Sequence, residues 1–301
     1  MSRISVIIPA YNAAATIARA VHSVLRQELA PYEVIVVDDG SQDGTSRLVE
    51  ERFADRVRLV RQANAGPAAA RNRGIKEATA EYIAFLDADD EWHPGKLQIQ
   101  LAAFSANPAA GLCFTDMSHW ENDEEVHVSY LHERGFRHVS GGAIYENLLH
   151  ECFVFTPSVV IPRVILERVG GFNECLRIAE DYDLWLRIAH DYNFIFIDQP
   201  LLRRHRNAQN ITNNLLLYAE DSLSMMEQLL TRQKGNARHE AIIRKRLSIM
   251  HNDAGYHCRR KGMMSLARQH YLKSLSRCLN LISARGLLAT IYHDIFWKSR
   301  S

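Results

Sequence analysis

The chain has 301 residues, 47% of them hydrophobic and 24% charged, with a net charge of +1. That is enough apolar material for one sizeable core with a smaller extension, at the charge content of an ordinary soluble protein. No run of 18 or more apolar residues occurs, and Met1-Ser2-Arg3 leads straight into a strand-like segment, so neither a spanning helix nor a signal peptide is expected.

In chain order, Ile4–Ile8 is a short β-branched run stopped by Pro9. Ala13–Gln27 follows as a helix, with Ile17, Val21, Val24 and Leu25 at helical spacing. Val34–Val37 is a second buried strand ended by Asp38-Asp39-Gly40, and Asp43-Gly44-Thr45 is turn and cap chemistry before a helix through Leu48 and Val49. Val57–Val60 is a third strand, and Pro67–Ala78 a helix with proline at its start. Tyr82–Leu86 is a fourth strand running into Asp87. Continuous apolar strands alternating with helices predict an α/β fold with a mostly parallel central sheet flanked by helices. Ligands of such sheets bind beyond the carboxyl ends of the strands, where Tyr11, Asp38, Asp39 and Asp87–Asp90 all fall.

Beyond this half, Gly111–Thr115 reads as a strand and Ser118–His138 as a polar excursion or loop. Glu180–His190 reads as a helix and Phe194–Ile197 as a strand. From Leu215 the pattern is helical, with a faint helix–turn–helix unit over Tyr256–Leu279. The expected organisation is a main α/β domain over 1–215, in two halves divided at 116/117, with a C-terminal helical extension over 216–301. The extension is basic: residues 231–301 carry 15 Lys and Arg against Glu240, Asp253 and Asp294, while the rest of the chain holds 21 basic and 32 acidic groups. The five cysteines include no CxxC pair and read as free thiols of a reducing cytoplasm.

Four groups of residues carry chemistry. Asp87-Ala88-Asp89-Asp90 places three carboxylates in four residues, which repel one another unless a cation neutralises them. Oxygen-only ligands suit Mg²⁺ or Mn²⁺ bridging to phosphates, although an acidic turn capping the helix near Pro94 explains the same residues. Tyr11 offers a ring to stack on a planar base, and Asp38-Asp39 offers carboxylates to a base or ribose, whereas Gly40-Ser41 is turn chemistry. Arg71, one turn into the helix after Asn64-Ala65-Gly66-Pro67, answers either a phosphate or an internal carboxylate. Glu180-Asp181-Tyr182-Asp183-Leu184-Trp185 supplies either a helix start or a general base, with Trp185 in the core or as a sugar platform.

Taken together and in this order, Val6–Asn12, Val37–Ser41, Asn64–Pro67, Leu86–Asp90 and Glu180–Trp185 resemble the family 2 glycosyltransferases with the GT-A fold, over roughly residues 4–206. The resemblance implies an inverting transfer from a nucleotide-sugar, most often a UDP-sugar, to a hydroxyl of a glycan or lipid-linked acceptor. Pro9, Ala10, Tyr11, Asn12, Asp39, Asn64, Gly66, Arg71, Asp87, Ala88 and Asp89 would line the donor site, Pro9, Tyr11 and Asp39 at the nucleoside and Asp87 at the ribose or diphosphate. Asp89 would ligate Mg²⁺ or Mn²⁺. Asp181 would be the base, with Glu180, Trp185 and Thr156 at the acceptor. Arg203-Arg204-His205-Arg206 matches the family's basic strand after the base helix and makes His205 a metal or diphosphate contact.

Other classes fit less well. A sugar-nucleotide pyrophosphorylase would carry a glycine- and arginine-bearing loop where Ala10-Tyr11-Asn12-Ala13 stands, and no GxGxxG fingerprint marks a nicotinamide enzyme. A receiver domain is shorter and has no use for the later acids, and a non-catalytic relative would be expected to lose them. The basic tail leaves two readings open: peripheral association with an anionic membrane at the inner face of the cytoplasmic membrane, or a helical extension that packs on the acidic body or mediates a homodimer through the C-terminal helices, its charges merely solvated. Nucleic acid is not expected against an acidic crevice. Acceptor choice should lie in 117–160, which includes His119, Trp120, His150 and Glu151.

Overall fold

The computed structural model describes residues 4–121, 124–136, 141–206 and 215–296, with the side chains of 206, 215 and 293–296 left aside. It divides into two compact units, Met1–Tyr145 with Phe153–Asn210, and Glu146–Cys152 with Ile211–Ser301.

The first unit opens with β1 (Ile4–Ala10), α1 (Ile17–Leu25), β2 (Glu33–Asp38), α2 (Thr45–Phe53), β3 (Arg58–Arg61), α3 (Pro67–Glu77) and β4 (Tyr82–Phe85). Then come β5 (Glu91–Trp92), α4 (Lys96–Ala106), β6 (Leu112–Glu121), β7 (Glu124–His127) and α5 (Tyr130–Glu133). After α6 (Tyr145–His150), most of which belongs to the second unit, a 3₁₀ turn (Thr156–Ser158) leads to β8 (Val160–Pro162), α7 (Arg163–Val169), α8 (Glu180–Asp191) and β9 (Phe194–Arg206).

The sheet order is β3-β2-β1-β4-β8-β6-β9-β5, with β7 beside β6. β1 to β4 pair in parallel, as the βα alternation requires. Ile4, Val6, Ile7 and Ile8 of β1 and Ile35, Val36 and Val37 of β2 are fully buried, each side chain contributing about 1.5–3 kcal/mol of apolar burial. α3 lies so close on β1 that a Cβ at Gly74 would come within 2.4 Å of Ile7, which only glycine permits. The parallel run stops at β8, which pairs antiparallel with both β4 and β6, so the second half of the sheet is mixed.

The stretch read as an excursion from Ser118 is ordered differently. β6 runs on to Glu121 in parallel with β9, across a register shift at Thr115–Met117, and β7 and α5 follow. Backbone pairing carries this segment, so its polar side chains hid it. Asp116, 1% exposed, fixes α5 by accepting from the Leu131 N–H at 3.0 Å and the Ser129 hydroxyl at 2.5 Å.

The second unit contains α9 (Leu215–Arg232), α10 (Ala237–Arg260), α11 (Met264–Arg277) and α12 (Leu281–Phe296). The helix–turn–helix expected over 256–279 is the α10–α11 corner, turned at Gly262 with φ +76°. Its core gathers Cys258, Ala267 and Tyr271, and Gly255 and Gly286 leave room for the Tyr271 ring. All five cysteines are free, and among the described residues no helix is long and apolar enough to cross a membrane.

Candidate active site

The carboxyl ends of β1 and β2 are stitched together by their own loops. The Asp39 N–H donates to Ala10 O at 2.8 Å, the Asn12 N–H to Ser41 Oγ at 2.9 Å, and Asn12 Oδ1 accepts from the Gln42 N–H at 2.9 Å. Asn12 sits at φ +49°, a left-handed position that asparagine tolerates well, and the turn leaves Tyr11 54% exposed at the rim. Pro9 and Ala10 lie in β1 opposite Val37 and Asp38.

Asp39 is buried and organises the next loop. Its Oδ1 accepts from Gln62 Nε2 at 2.8 Å and the Ala65 N–H at 2.9 Å, and its Oδ2 from the Gly66 N–H at 2.8 Å. A carboxylate has about four acceptor positions, so one remains for a ligand. Gly40, at φ +81°, brings the backbone so near Asn64 that a Cβ would lie 2.9 Å from its nitrogen. Residues 64–66 are thereby drawn against the β2 loop.

Arg71 is the node between the end of β4 and the start of α8. Its guanidinium, 7% exposed, donates to Asp87 Oδ1 at 2.8 Å and to Glu180 Oε1 at 2.6 Å, and lies 5.5 Å from the Phe172 ring centroid. The two carboxylates hold it protonated even more firmly than usual, against the cost of burial. Arg71 thus answers carboxylates here, one of the two partners open to it in the sequence.

At the acidic turn, Asp87 and Asp89 are partly exposed and Ala88 and Asp90 buried. Burial and the Asp89 and Asp87 charges push the Asp90 carboxyl well above the usual carboxylate range, despite Arg204 and the His205 N–H, which donates to Asp90 Oδ1 at 2.9 Å. Arg19 Nη2 donates to the Asp89 carbonyl at 2.7 Å. His205 is therefore beside the turn, with its Nε2 2.8 Å from Glu91 Oε1. The crowded negative charge and all-oxygen carboxylate donors fit a hard divalent cation. Among the described residues no three His, Cys, Asp or Glu side chains form a ligand set, so such a cation would complete its shell from phosphate and water.

Asp181, in the first turn of α8, is half-buried. Its Oδ1 accepts from the Tyr182 N–H at 2.6 Å and its Oδ2 from the Thr156 hydroxyl at 3.2 Å. Desolvation and then the Glu180 charge push its carboxyl up to about 7, while Arg71 and the two hydrogen bonds pull it down. A carboxylate poised there is suited to general base work at neutral pH.

Two expectations for the acceptor side are corrected. Trp185 is fully buried and its Nε1 donates to Val154 O at 3.1 Å, so it lies in the core and offers no face to a sugar. Glu180, 5% exposed and bound to Arg71, acts on the site through its charge. Thr156 meets Asp181, as above. Of the stretch expected to choose the acceptor, His150 and Glu151 belong to the second unit, and His119 is buried. Sequence reasoning missed Arg19, Gln62 and Phe172, whose roles arise from tertiary contacts and leave no local signal.

The model of the family described as Glycosyl transferase family 2 matches residues 5–160, half of the chain. The chain belongs to glycosyl transferase family 2. Among its relatives is the UDP-Glc:alpha-D-GlcNAc-diphosphoundecaprenol beta-1,3-glucosyltransferase WfgD of Escherichia coli, 33% identical over 198 residues that cover 65% of this chain and 73% of that one. An uncharacterized glycosyltransferase of Rickettsia felis is 34% identical over 202 residues, 66% of this chain but only 32% of its own length. The family member described here thus spans about a third of that relative. Among solved structures, S. aureus TarS 1–349 in complex with UDP-GlcNAc matches with a TM-score of 0.66 at 18% identity, covering 100% of this chain and 92% of that one. The mannosyltransferase PcManGT of Pyrobaculum calidifontis, in complex with GDP-Man and Mn²⁺, matches with a TM-score of 0.65 at 20% identity, covering 99% and 82%. The fold is the GT-A fold of these glycosyltransferases.

Proposed function

We propose that this chain transfers a sugar from a nucleotide-sugar, a UDP-sugar by preference, to a hydroxyl of a glycan or lipid-linked acceptor with inversion at the anomeric carbon. One observation carries the reading: Asp181, with its carboxyl raised toward neutrality, is coupled through Glu180 and Arg71 to Asp87 at the end of β4. Base and donor loop are thereby held as one unit. The E. coli relative supports the donor and acceptor class, and the structures of TarS with UDP-GlcNAc and of PcManGT with GDP-Man, which share this fold, agree with a nucleotide-sugar donor.

In this reading the Tyr11 ring stacks on the base, and Asp39 offers its remaining acceptor position to the nucleoside. Backbone at Pro9, Ala10, Asn12, Asn64, Gly66 and Ala88 shapes the pocket, and Asp87 faces the ribose or diphosphate. Asp89, with His205 nearby, would hold Mg²⁺ or Mn²⁺, which when bound supplies positive charge against the departing diphosphate. Asp181 takes the proton of the acceptor hydroxyl, whose oxygen attacks the anomeric carbon opposite the nucleotide, so configuration inverts. Thr156 orients Asp181, and Arg71 keeps Glu180 and Asp87 from repelling it. Thermal-shift titration with UDP- and GDP-sugars, each with and without Mn²⁺, tests the donor side. A Mn²⁺-dependent rise in melting temperature with UDP-sugars is expected, and no response to any nucleotide-sugar would refute the reading.

A further inference from the structure

Helix α12 turns most of its large apolar side chains outward. Its inward side is largely small and polar: Ser283 and Thr290 are wholly buried, Gly286 stands where a Cβ would lie 2.4 Å from the Tyr271 ring, and Leu287 packs on the Cys258–Ala267–Tyr271 core. The hydroxyls are satisfied there, Ser283 Oγ with Ser274 Oγ at 2.7 Å and Thr290 Oγ1 with Leu287 O at 2.7 Å. The outward side carries Leu281, Ile282, Leu288 and Tyr292, exposed at 76%, 69%, 64% and 63%, and Leu279 just before the helix is 87% exposed. Leu281, Leu288 and Tyr292 stand at i, i+7 and i+11 and so form one stripe. A surface helix that serves only the fold buries its leucines. This one packs through Leu287 together with serine, threonine and glycine, and leaves Leu281, Ile282 and Leu288 outside, an exposed apolar patch of the kind that marks an interaction surface.

Charge selects what covers it. Arg285, one turn after Leu281, is exposed on the same side. Among the described residues 261–296, five basic groups (Lys261, Arg268, Lys273, Arg277 and Arg285) stand against a single acid, Asp294. A second copy would bring an equal positive charge against the first, whereas an anionic bilayer neutralises it and accepts the leucines. α12 has 16 residues and is not a spanning helix, which leaves it lying in the plane of the interface.

We propose that α12 docks the protein on an anionic membrane surface, with Leu281, Ile282, Leu288 and Tyr292 at the headgroup–acyl boundary and Arg285 among the lipid phosphates. This deepens the lipid-linked acceptor reading above, since such an acceptor is presented at a bilayer, but its test requires no turnover. The full chain is co-sedimented with phosphatidylcholine vesicles with and without phosphatidylglycerol. Binding to the anionic vesicles is expected, and the double variant Leu281→Glu, Leu288→Glu should bind at least about tenfold more weakly. Because both side chains are exposed, the variant should melt with the wild type, which separates lost docking from lost folding. Arg285→Glu should also weaken binding, and added salt should weaken the wild type. Equal pelleting of wild type and double variant would overturn the proposal. So would a wild-type dimer that ignores vesicles and that the double variant splits, which would assign the face to a second copy. Nucleotide-sugar binding measured on the same samples keeps the readings apart: docking without donor binding would sink the functional reading and leave this one standing.

Discussion

Replacing Arg71 removes the one cation that joins Asp87 to Glu180. In Arg71→Met the Glu180 carboxylate, 6% exposed, loses its 2.6 Å partner, and among the described residues its Oε2 has no hydrogen-bond partner to fall back on. Asp87 is 33% exposed and can turn to water, so most of the cost falls on Glu180. Breaking a buried pair from one side costs about 3–5 kcal/mol. For a domain of this size each kcal/mol lowers the melting temperature by about 2–4 °C, so a fall of roughly 6–20 °C is expected. Removing both charges is milder, because no buried ion is then left alone. The double variant Arg71→Met, Glu180→Gln should therefore recover most of the loss, and a double-mutant cycle by calorimetry or circular dichroism reads the coupling directly. A melting temperature of Arg71→Met indistinguishable from wild type would refute the reasoning, as would simple additivity of the two single variants.

The remaining expectations concern protons. Because the Asp181 carboxyl is raised to about 7 and a base must be ionised, kcat/KM should fall as pH drops through neutrality, approaching tenfold per unit. Glu180→Gln removes a charge that raises that carboxyl and should move the acid limb to lower pH, while Thr156→Val removes a hydrogen bond that lowers it and should move the limb up. Limbs unmoved in both variants would exclude Asp181 as the titrating group. Lys96 is wholly buried, its Nζ 2.7 Å from Gln100 Oε1 and 4.2 Å over the Trp92 ring, and burial pushes its ammonium down to about 7. Unfolded, it stays protonated to about 10.4, so the unfolded chain binds the extra proton between those values and stability contributed by this site rises with pH. Relative to Lys96→Met, the wild type should gain up to about 1.4 kcal/mol per pH unit from pH 7 to 10 in urea melts; a constant difference would show Lys96 charged in the fold.

How much of this was legible in the sequence follows from where the information lies. Continuous apolar runs such as Ile4–Ile8 and Val34–Val37 announce strands buried on both faces, and Asp38-Asp39 and Asp87–Asp90 are legible as acids at the carboxyl ends of β2 and β4, because both signals are local. β6 beyond Thr115 was hidden because backbone pairing with β9, and not side-chain periodicity, holds Met117–Glu121 in the sheet. Arg71 had two partners open to it on paper, and only the fold, bringing residue 180 within 2.6 Å, chooses between them. Trp185 reads equally as core or platform in one dimension, since a helix position says nothing of what lies across from it, and Val154 O turned out to be there. The exposed apolar side of α12 was equally out of reach, because Leu281 and Leu288 look like a core face until the inward serine, threonine and glycine are seen.

The central claim, that Asp181 is the base of a nucleotide-sugar transfer, is tested most directly by Asp181→Asn. The substitution keeps shape and removes the ionisable group, so donor affinity by calorimetry should stay near wild type while transfer falls by about 10²–10⁴-fold. Near-normal turnover in that variant would contradict the account.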